Sequence, residues 1–298
     1  MKTKLLLSSA ALMLAMHAPA MAQNQASASQ EDGVKVGGMS GMRNLVPAEE
    51  LEKMAAQQYL SMKQQAETKK ALAPDNHPQV KRLRTIADKL IPYASKWNPR
   101  APQWKWEVNL IGSKQINAFC MPGGKIAFYT GILDQLQLTD DEVALVMGHE
   151  IAHALREHGR ERMAKTKVTG ALAGLAAGIL SYKGVNPQVA DGLTHGVANL
   201  TLLKFSRDNE TDADVVGLDI AARAGYDPRA GVTLWQKMGA ASKGAPPQWL
   251  STHPAGTDRI AEIKKRLPEV MPLYAQTKGK NVASLPPFKT NTNLPPVQ

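Results

Sequence analysis

Hydrophobic and polar positions divide the chain into two helical parts with a short segment of strands between them. Apolar residues recur at helical spacing from about 47 to 71 and from about 78 to 93. Between 104 and 111 they alternate with polar residues, and 116–120 and 125–130 have the composition of two more strands. The pattern predicts a small sheet that follows two helices.

The residues after this sheet predict mainly helix. Thr139 and Glu142 have the spacing of a capping box, so a helix is expected to begin there and to continue to about Gly159. Further helices are predicted at about 187–204, 207–224, 228–241 and 256–267. The expected fold class is α+β and mostly helical, with the small sheet ahead of the helix that follows Thr139.

The first 22 residues have the pattern of a secretory signal peptide. Lys2 and Lys4 form a basic start, a short apolar run follows, and Ala20 and Ala22 supply the small residues of a cleavage site. The alternative is a membrane anchor, for which the apolar run is short. We therefore expect an exported protein that is cleaved after Ala22.

The remaining chain is expected to form one domain with flexible ends. Residues 23–44 are polar and rich in glycine and predict a flexible leader, 45–267 form the domain, and 268–298 predict an extended tail. The uncharged run at 168–180 is too short to span a bilayer. With the segment to about 203 it is expected to form a buried helix pair, or else a hairpin over the site or against a membrane.

Composition narrows the class of function. Hydrophobic residues make up 43% of the chain and charged residues 21%, which indicates a globular protein. The formal net charge is +10, but the charges are scattered without interleaved aromatics, so we expect no nucleic-acid partner. Cys120 is the only cysteine, which excludes an intramolecular disulfide, and a buried structural role is favoured over a nucleophilic one.

His149, Glu150 and His153 form an H-E-x-x-H motif in a predicted helix. Residues at i and i+4 lie on one helix face, so both neutral imidazoles can bind a single zinc ion. Glu150 is then placed to take a proton from a water molecule beside the metal. The alternative is a surface helix with two solvated histidines. It is disfavoured because apolar residues flank the motif, and buried histidines need partners.

A catalytic zinc site usually has three protein ligands and one open position. The metzincin pattern would require histidine where this chain has Gly159, so that class is excluded. A glutamate from a second helix is the other common solution, and Glu210 with Asp214 forms an i,i+4 pair. Glu210 is therefore a candidate ligand and Asp214 a candidate hydrogen-bond partner of a ligand histidine. The alternative is an acidic, solvated first turn of a helix.

The order of these motifs resembles the gluzincin metallopeptidases of the CAAX prenyl endoprotease, HtpX and BepA type. The segments that carry the resemblance lie in order between about 78 and 267: Asn117-Ala118-Phe119, Pro122-Gly123-Gly124, Gly131-Ile132-Leu133, H-E-x-x-H, Ser206 to Asp214, Ser251-Thr252-His253-Pro254 and Arg259-Ile260. The chain is expected to carry no membrane-spanning helix after cleavage and no helical-repeat domain. It is therefore closest to the periplasmic, single-domain members.

The resemblance implies a zincin-like domain that holds one Zn²⁺ per chain. His149, His153 and Glu210 would be the ligands and Glu150 the general base. Asp214 would be either a proton donor or a group that orients a ligand histidine.

The same resemblance implies three alternative roles for His253. It could stabilise the oxyanion, approach the metal and hold the enzyme inactive, or structure a proline turn. Arg207 is expected either to pair with an acid of the site or to be a surface charge. His158 is expected to be structural, because a continuous helix turns it away from the ligand face. His77 and His195 are left without a role.

The implied function is a zinc-dependent endopeptidase of the cell envelope that degrades misfolded or misassembled periplasmic or outer-membrane proteins. The implied location is the periplasm, either free or associated with a membrane. The expected partners are unfolded or extended polypeptides, which would add alongside the strand at 125–130, and a peripheral membrane or outer-membrane protein. A zinc-containing chaperone or assembly factor without proteolytic activity is the alternative. A metal-storage protein is weaker, because it gives Glu150 no role.

Overall fold

The computed structural model describes residues 33–169, 200, 204–242, 247–253 and 259–291. In these ranges the elements are α1 Ala48–Thr68, α2 Pro78–Leu90, β1 Glu107–Ile111, β2 Ala118–Met121, β3 Lys125–Tyr129, α3 Thr130–Leu136, α4 Asp140–Leu155, α5 Arg207–Arg223, α6 Ala230–Ala241, α7 Gln248–Thr252 and α8 Arg259–Thr277. Residues 158–169 are also helical. The predicted α+β fold, mostly helical with a small sheet ahead of the motif helix, is confirmed.

The sheet has the strand order β1-β3-β2. β3 lies in the centre, parallel to β1 and antiparallel to β2. The expectation that an extended chain adds alongside the strand at 125–130 is therefore wrong, because both sides of β3 are already paired. β1 and β2 are the edge strands, and β2 packs against α4. The sequence could not reveal this order, because all three strands are buried and similar in composition.

The two faces of the sheet pack against different layers. Side chains at alternating positions, including Leu110, Cys120 and Ile126, face the main core with α2, α4 and α5. The intervening residues, including Phe119 and Ala127, face a second cluster that α1 covers. We call the face toward the main core the inner face and the face that α1 covers the outer face. The motif helix therefore lies on the inner face.

Helix α4 begins at the predicted capping box. The Glu142 amide donates to Thr139 Oγ1 at 3.3 Å, and the Thr139 amide donates to a Glu142 carboxylate oxygen at 2.8 Å. Helix α5 crosses α4 where Gly148 and Gly217 meet. A Cβ atom on Gly217 would lie 2.8 Å from the His149 amide nitrogen, so this close crossing requires glycine. It places α5 directly against the motif.

Both predicted boundaries of the domain differ from the structure. Residues 33–44 are not a free leader: Val34 is buried, and its amide donates to Asp219 at 3.2 Å. The predicted extended tail from residue 268 is wrong for its first part, because α8 runs through Pro268 and Pro272 to Thr277. Proline is unfavourable inside a helix, but burial of Val270 and Leu273 against the core outweighs that tendency.

Several predictions fall outside the described residues. These are the signal peptide with its cleavage after Ala22, most of the leader, nearly all of the helices expected at 168–203, and Pro254. Among the described helices, none is both long and apolar enough to cross a bilayer.

Candidate metal centre

Helix α4 brings the H-E-x-x-H side chains into the interior. His149, Glu150 and His153 are each 2–3% exposed. The Nε2 atoms of His149 and His153 lie 3.0 Å apart, as expected for residues one helical turn apart. Both imidazoles therefore direct a nitrogen at the same point.

Helix α5 supplies the acid that the sequence pairs with them. Ser206 caps this helix, and Glu210 lies one turn inside it, 2% exposed. One Glu210 oxygen is 3.4 Å from His153 Nε2 and the other is 3.6 Å from His149 Nε2. Three predicted ligands from two helices thus converge.

His253, at the end of α7, is the fourth group of the cluster. Its Nδ1 lies 3.2 Å from His149 Nε2 and 3.1 Å from a Glu210 oxygen. Its Nε2 lies 3.5 Å from Glu150. Burial would lower the pKa of His253, but the carboxylates of Glu150 and Glu210 outweigh it and raise the pKa.

The donor atoms fit a zinc ion. One donor each from His149, His153, Glu210 and His253 lies within 4.8 Å of the others. Zinc–ligand distances near 2.0–2.1 Å in a tetrahedron require donors about 3.3 Å apart. The His149 Nε2 atom lies 3.0 Å from His153 Nε2, 3.2 Å from His253 Nδ1 and 3.6 Å from a Glu210 oxygen. Burial and the neighbouring His149 lower the pKa of His153 well below its usual value, which favours the neutral imidazole that a metal needs.

Asp214 and Arg259 support the first histidine. Asp214 lies 2.9 Å from His149 Nδ1, and Arg259 donates to both Asp214 oxygens and, at 2.6 Å, to Glu210. Burial alone would raise the pKa of Asp214, but Arg259 and His149 outweigh it and hold the pKa at about 2. Arg259 is itself buried over the ring of Trp235. Asp214 is therefore an ionised acceptor in this arrangement.

Trp249 holds the candidate general base. Its indole N–H donates to Glu150 Oε1 at 2.6 Å, and its ring stacks on His253. No local sequence pattern indicates this contact, because Trp249 lies far from Glu150 along the chain. Arg259 belongs to the motifs that carry the resemblance, but the sequence does not predict its pairing with Asp214 and Glu210.

His158 is closer to the centre than a continuous helix would allow. Its Nδ1 lies 3.0 Å from His153 Nδ1, and its Nε2 lies 3.0 Å from Asp212. The predicted helix to about Gly159 is wrong, because α4 ends at Leu155.

A cavity opens beside the cluster. Its lining is mostly apolar and includes β2, Glu150, His153 and the ring of Phe205, which stacks on His153. Tyr129 donates its amide to the Asn117 carbonyl, so the alternation of an antiparallel pair turns the backbone groups of Ala118 and Cys120 toward the open edge. The edge strand therefore presents main-chain donors and acceptors next to the candidate base.

The other candidate residues that the structure describes are not among the clustered donors. Arg207 is exposed, in agreement with the surface reading. His77 caps α2 through its side chain, and His195 lies outside the described residues. Cys120 is buried in β2, and burial raises the pKa of its thiol well above the usual value, which agrees with a structural role.

Comparison with known proteins agrees with the motifs. The model of peptidase family M48 matches residues 77–267, well over half of the chain. The resemblance predicted from the ordered motifs is confirmed, and the expectation of a zinc cofactor agrees with the family and with the four-donor cluster.

Individual relatives cover parts of the chain. Mitochondrial metalloendopeptidase OMA1 of Schizosaccharomyces pombe is 39% identical over 168 residues, which span 55% of this chain and 48% of that protein. Metalloprotease LoiP of Escherichia coli is 29% identical over 205 residues, 68% of this chain and 77% of LoiP. The beta-barrel assembly-enhancing protease of Escherichia coli is 28% identical over 179 residues, 56% of this chain and 36% of that protein. The chain thus spans about half the length of the first of these relatives.

Proposed function

The chain belongs to peptidase family M48, a family of zinc-dependent metallopeptidases, and on that premise we propose that it is an endopeptidase of the cell envelope that degrades misfolded or misassembled periplasmic or outer-membrane proteins. The observation that carries the proposal is the convergence of His149, His153 and Glu210 from two helices, with Glu150 beside them. The N-terminal signal pattern supports export to the periplasm. The name of the β-barrel assembly-enhancing relative supports outer-membrane proteins as substrates.

In the proposed site His149, His153 and Glu210 hold one zinc ion. When bound, the ion supplies a Lewis acid for the scissile carbonyl and lowers the pKa of water. Glu150 takes the proton of the attacking water and passes it to the leaving amine, so one carboxylate acts first as base and then as acid. Trp249 fixes one Glu150 oxygen and leaves the other for this transfer.

Asp214 orients the first ligand rather than donating a proton. Its pKa of about 2 leaves it ionised at neutral pH. It accepts from His149 Nδ1, which directs the Nε2 lone pair toward the metal. Arg259 holds both Asp214 and Glu210, so it fixes α5 relative to the motif.

His253 holds the site in a resting state. A catalytic zinc needs an open position, and His253 Nδ1, 3.2 Å from His149 Nε2, would serve as a fourth donor and fill it. Substrate entry then requires the end of α7 to move. A His253→Ala variant is expected to cleave faster than wild type, whereas a role for His253 in stabilising the oxyanion predicts slower cleavage.

The proposed substrate is an extended chain that adds to the edge of β2. The backbone groups of Ala118 and Cys120 face that edge, and the Trp249 amide already donates to the Ile116 carbonyl on the same side. Compact folded proteins expose few free strands, which accounts for a preference for unfolded chains. The second proposed partner of this chain is a peripheral membrane or outer-membrane protein.

The alternative is a zinc-containing chaperone without proteolytic activity. The burial of Glu150 beside the donors favours the enzyme, since a structural metal site has no use for an unligated acid.

The test is cleavage of an unfolded, dye-labelled casein by wild type and Glu150→Gln, with the zinc content of both measured. We expect Glu150→Gln to keep its zinc and to lose about 10²–10⁴-fold in rate. Equal rates would reject Glu150 as the base. Because His253 could keep wild type inactive, both proteins are also assayed in the His253→Ala background. Zinc-loaded protein that cleaves nothing in that background would favour the chaperone.

A further inference from the structure

His153 has a support that differs from that of His149. The His153 Nε2 atom faces the other donors, so its Nδ1 faces away from them, 3.0 Å from His158 Nδ1. His158 Nε2 in turn lies 3.0 Å from Asp212. The three side chains form a line that leads out of the proposed metal site.

The direction of these hydrogen bonds follows from the chemistry of a ligand histidine. A neutral imidazole that gives the Nε2 lone pair to a metal carries its proton on Nδ1. His153 Nδ1–H must therefore donate, and His158 Nδ1 must accept. The proton of His158 is then on Nε2, where it donates to the Asp212 carboxylate. One arrangement of protons satisfies the whole line.

Helix geometry explains why an extra imidazole is needed. Asp214 reaches His149 directly at 2.9 Å. Asp212 is two residues earlier on α5, about 200° around the helix axis, and its hydrogen bond is with His158. His158 spans the remaining distance. It is 3% exposed, so water does not compete for its nitrogens.

A break in the backbone brings His158 to this place. In a continuous helix it would lie about 140° around the axis from His153. Instead α4 ends at Leu155, and Glu157 has a φ of 56°, a left-handed conformation that residues with a Cβ seldom adopt. Such strain persists where surrounding contacts hold it.

The N-terminal segment provides those contacts. Arg43 pairs with Glu157 at 2.7 Å, and Arg156, which also donates to Asp212 at 2.7 Å, donates to the Gly37 carbonyl. Residues 37–43 therefore fix both residues of the break.

We propose that His158 and Asp212 are positioning residues for the zinc ligand His153, and that the backbone break at Arg156 and Glu157 brings His158 to this position. This inference rests on the proposed function, because it takes His153 as a ligand. His158 orients the His153 ring and makes its Nε2 a better donor, and Asp212 acts through His158.

The test measures the zinc dissociation constant by chelator competition and the visible spectrum of the cobalt-substituted protein. His158→Phe keeps a ring of similar size but neither accepts from His153 nor donates to Asp212. We expect its zinc affinity to fall about 10–100-fold, the loss typical for removal of such a partner, with a changed cobalt spectrum. His158→Gln can still accept and donate, and is expected to recover part of the affinity.

A double-mutant cycle separates positioning from folding. Asp212→Asn alone should weaken zinc binding, whereas adding it to His158→Phe should change little further, because Asp212 acts through His158. Unchanged zinc affinity in His158→Phe, or fully additive losses, would overturn the proposal. If His158→Phe does not fold, unchanged affinity in Asp212→Asn overturns it. His77→Gln, which removes a histidine far from the site, is the control and should bind zinc like wild type.

Failure of this inference is distinct from failure of the proposed function. Wild type that binds no zinc would refute the metal site itself. Wild type that binds zinc while both variants bind it equally well refutes only the role of His158 and Asp212.

Discussion

The two faces of the sheet bury different kinds of side chain. On the inner face, between α4, α5, α7 and α8, histidines, acids and Arg259 are buried together. On the outer face, α1 buries apolar residues such as Leu51 and Ala55. The ion pairs of α1 are partly or fully exposed, as in Arg100 with Glu49, whose side chains are 30% and 73% exposed.

The difference indicates where stability and where function are located. Burying charged groups is unfavourable unless each is paired, and an apolar core of the same volume is often more stable. The outer face follows that rule. The inner face instead buries polar and charged side chains at His149, Glu150, His153 and Glu210. There each buried polar side chain has a partner that also orients it.

Arg259→Met tests this contrast with the largest expected effect. It leaves Asp214 and Glu210 buried without their cation, so we expect the free energy of unfolding of the zinc-free protein to fall by about 3–5 kcal/mol. With zinc bound the loss should be smaller, because the charge of the ion compensates the same carboxylates. Urea unfolding with and without zinc measures both values.

The matched variant on the outer face is Leu51→Ala. Its free energy of unfolding is expected to fall by about 2–5 kcal/mol because the truncated side chain leaves a cavity. The fall should be the same with and without zinc. The contrast between the faces fails if the loss in Arg259→Met is equally independent of zinc.

Gly217→Ala tests the helix crossing and is expected to have a smaller effect. The added methyl would overlap the backbone of α4 at His149, so α5 must move away. We expect a loss of about 1–3 kcal/mol in the free energy of unfolding together with weaker zinc binding, since Glu210 moves with α5. Thermal unfolding and chelator competition measure the two effects.

Gly239→Ala is the control for helical glycine. A Cβ there meets nothing within 4 Å among the described residues. We therefore expect the free energy of unfolding to rise by up to about 1 kcal/mol, because alanine has the higher helix propensity. Zinc binding that is normal in Gly217→Ala would argue against the crossing as the device that places Glu210.

Local sequence rules predicted the parts of the site that lie on regular helices. The i,i+4 spacing of His149 with His153, and of Glu210 with Asp214, requires only helical geometry. The capping box at Thr139 marked the start of α4 correctly. The α+β class followed from periodicity in the same way.

Contacts that depend on tertiary structure were not predictable. Trp249 and Arg259 reach their partners across long stretches of chain. The contact of His158 with His153 is not predictable, because Glu157, unlike glycine, gives no sequence signal for a left-handed residue. The edge position of β2 likewise depends on strand order rather than on composition.

The most direct test of the account is the zinc content and zinc affinity of Glu210→Gln. Wild type should hold one zinc per chain. Removal of a residue that only hydrogen-bonds a ligand lowers zinc affinity about 10–100-fold, and Glu210→Gln should lower it by more than that. Asp208→Asn, an exposed acid in the same helical turn, should bind zinc like wild type. A wild-type protein without zinc, or a Glu210→Gln variant that binds zinc as tightly as Asp208→Asn, would contradict the account.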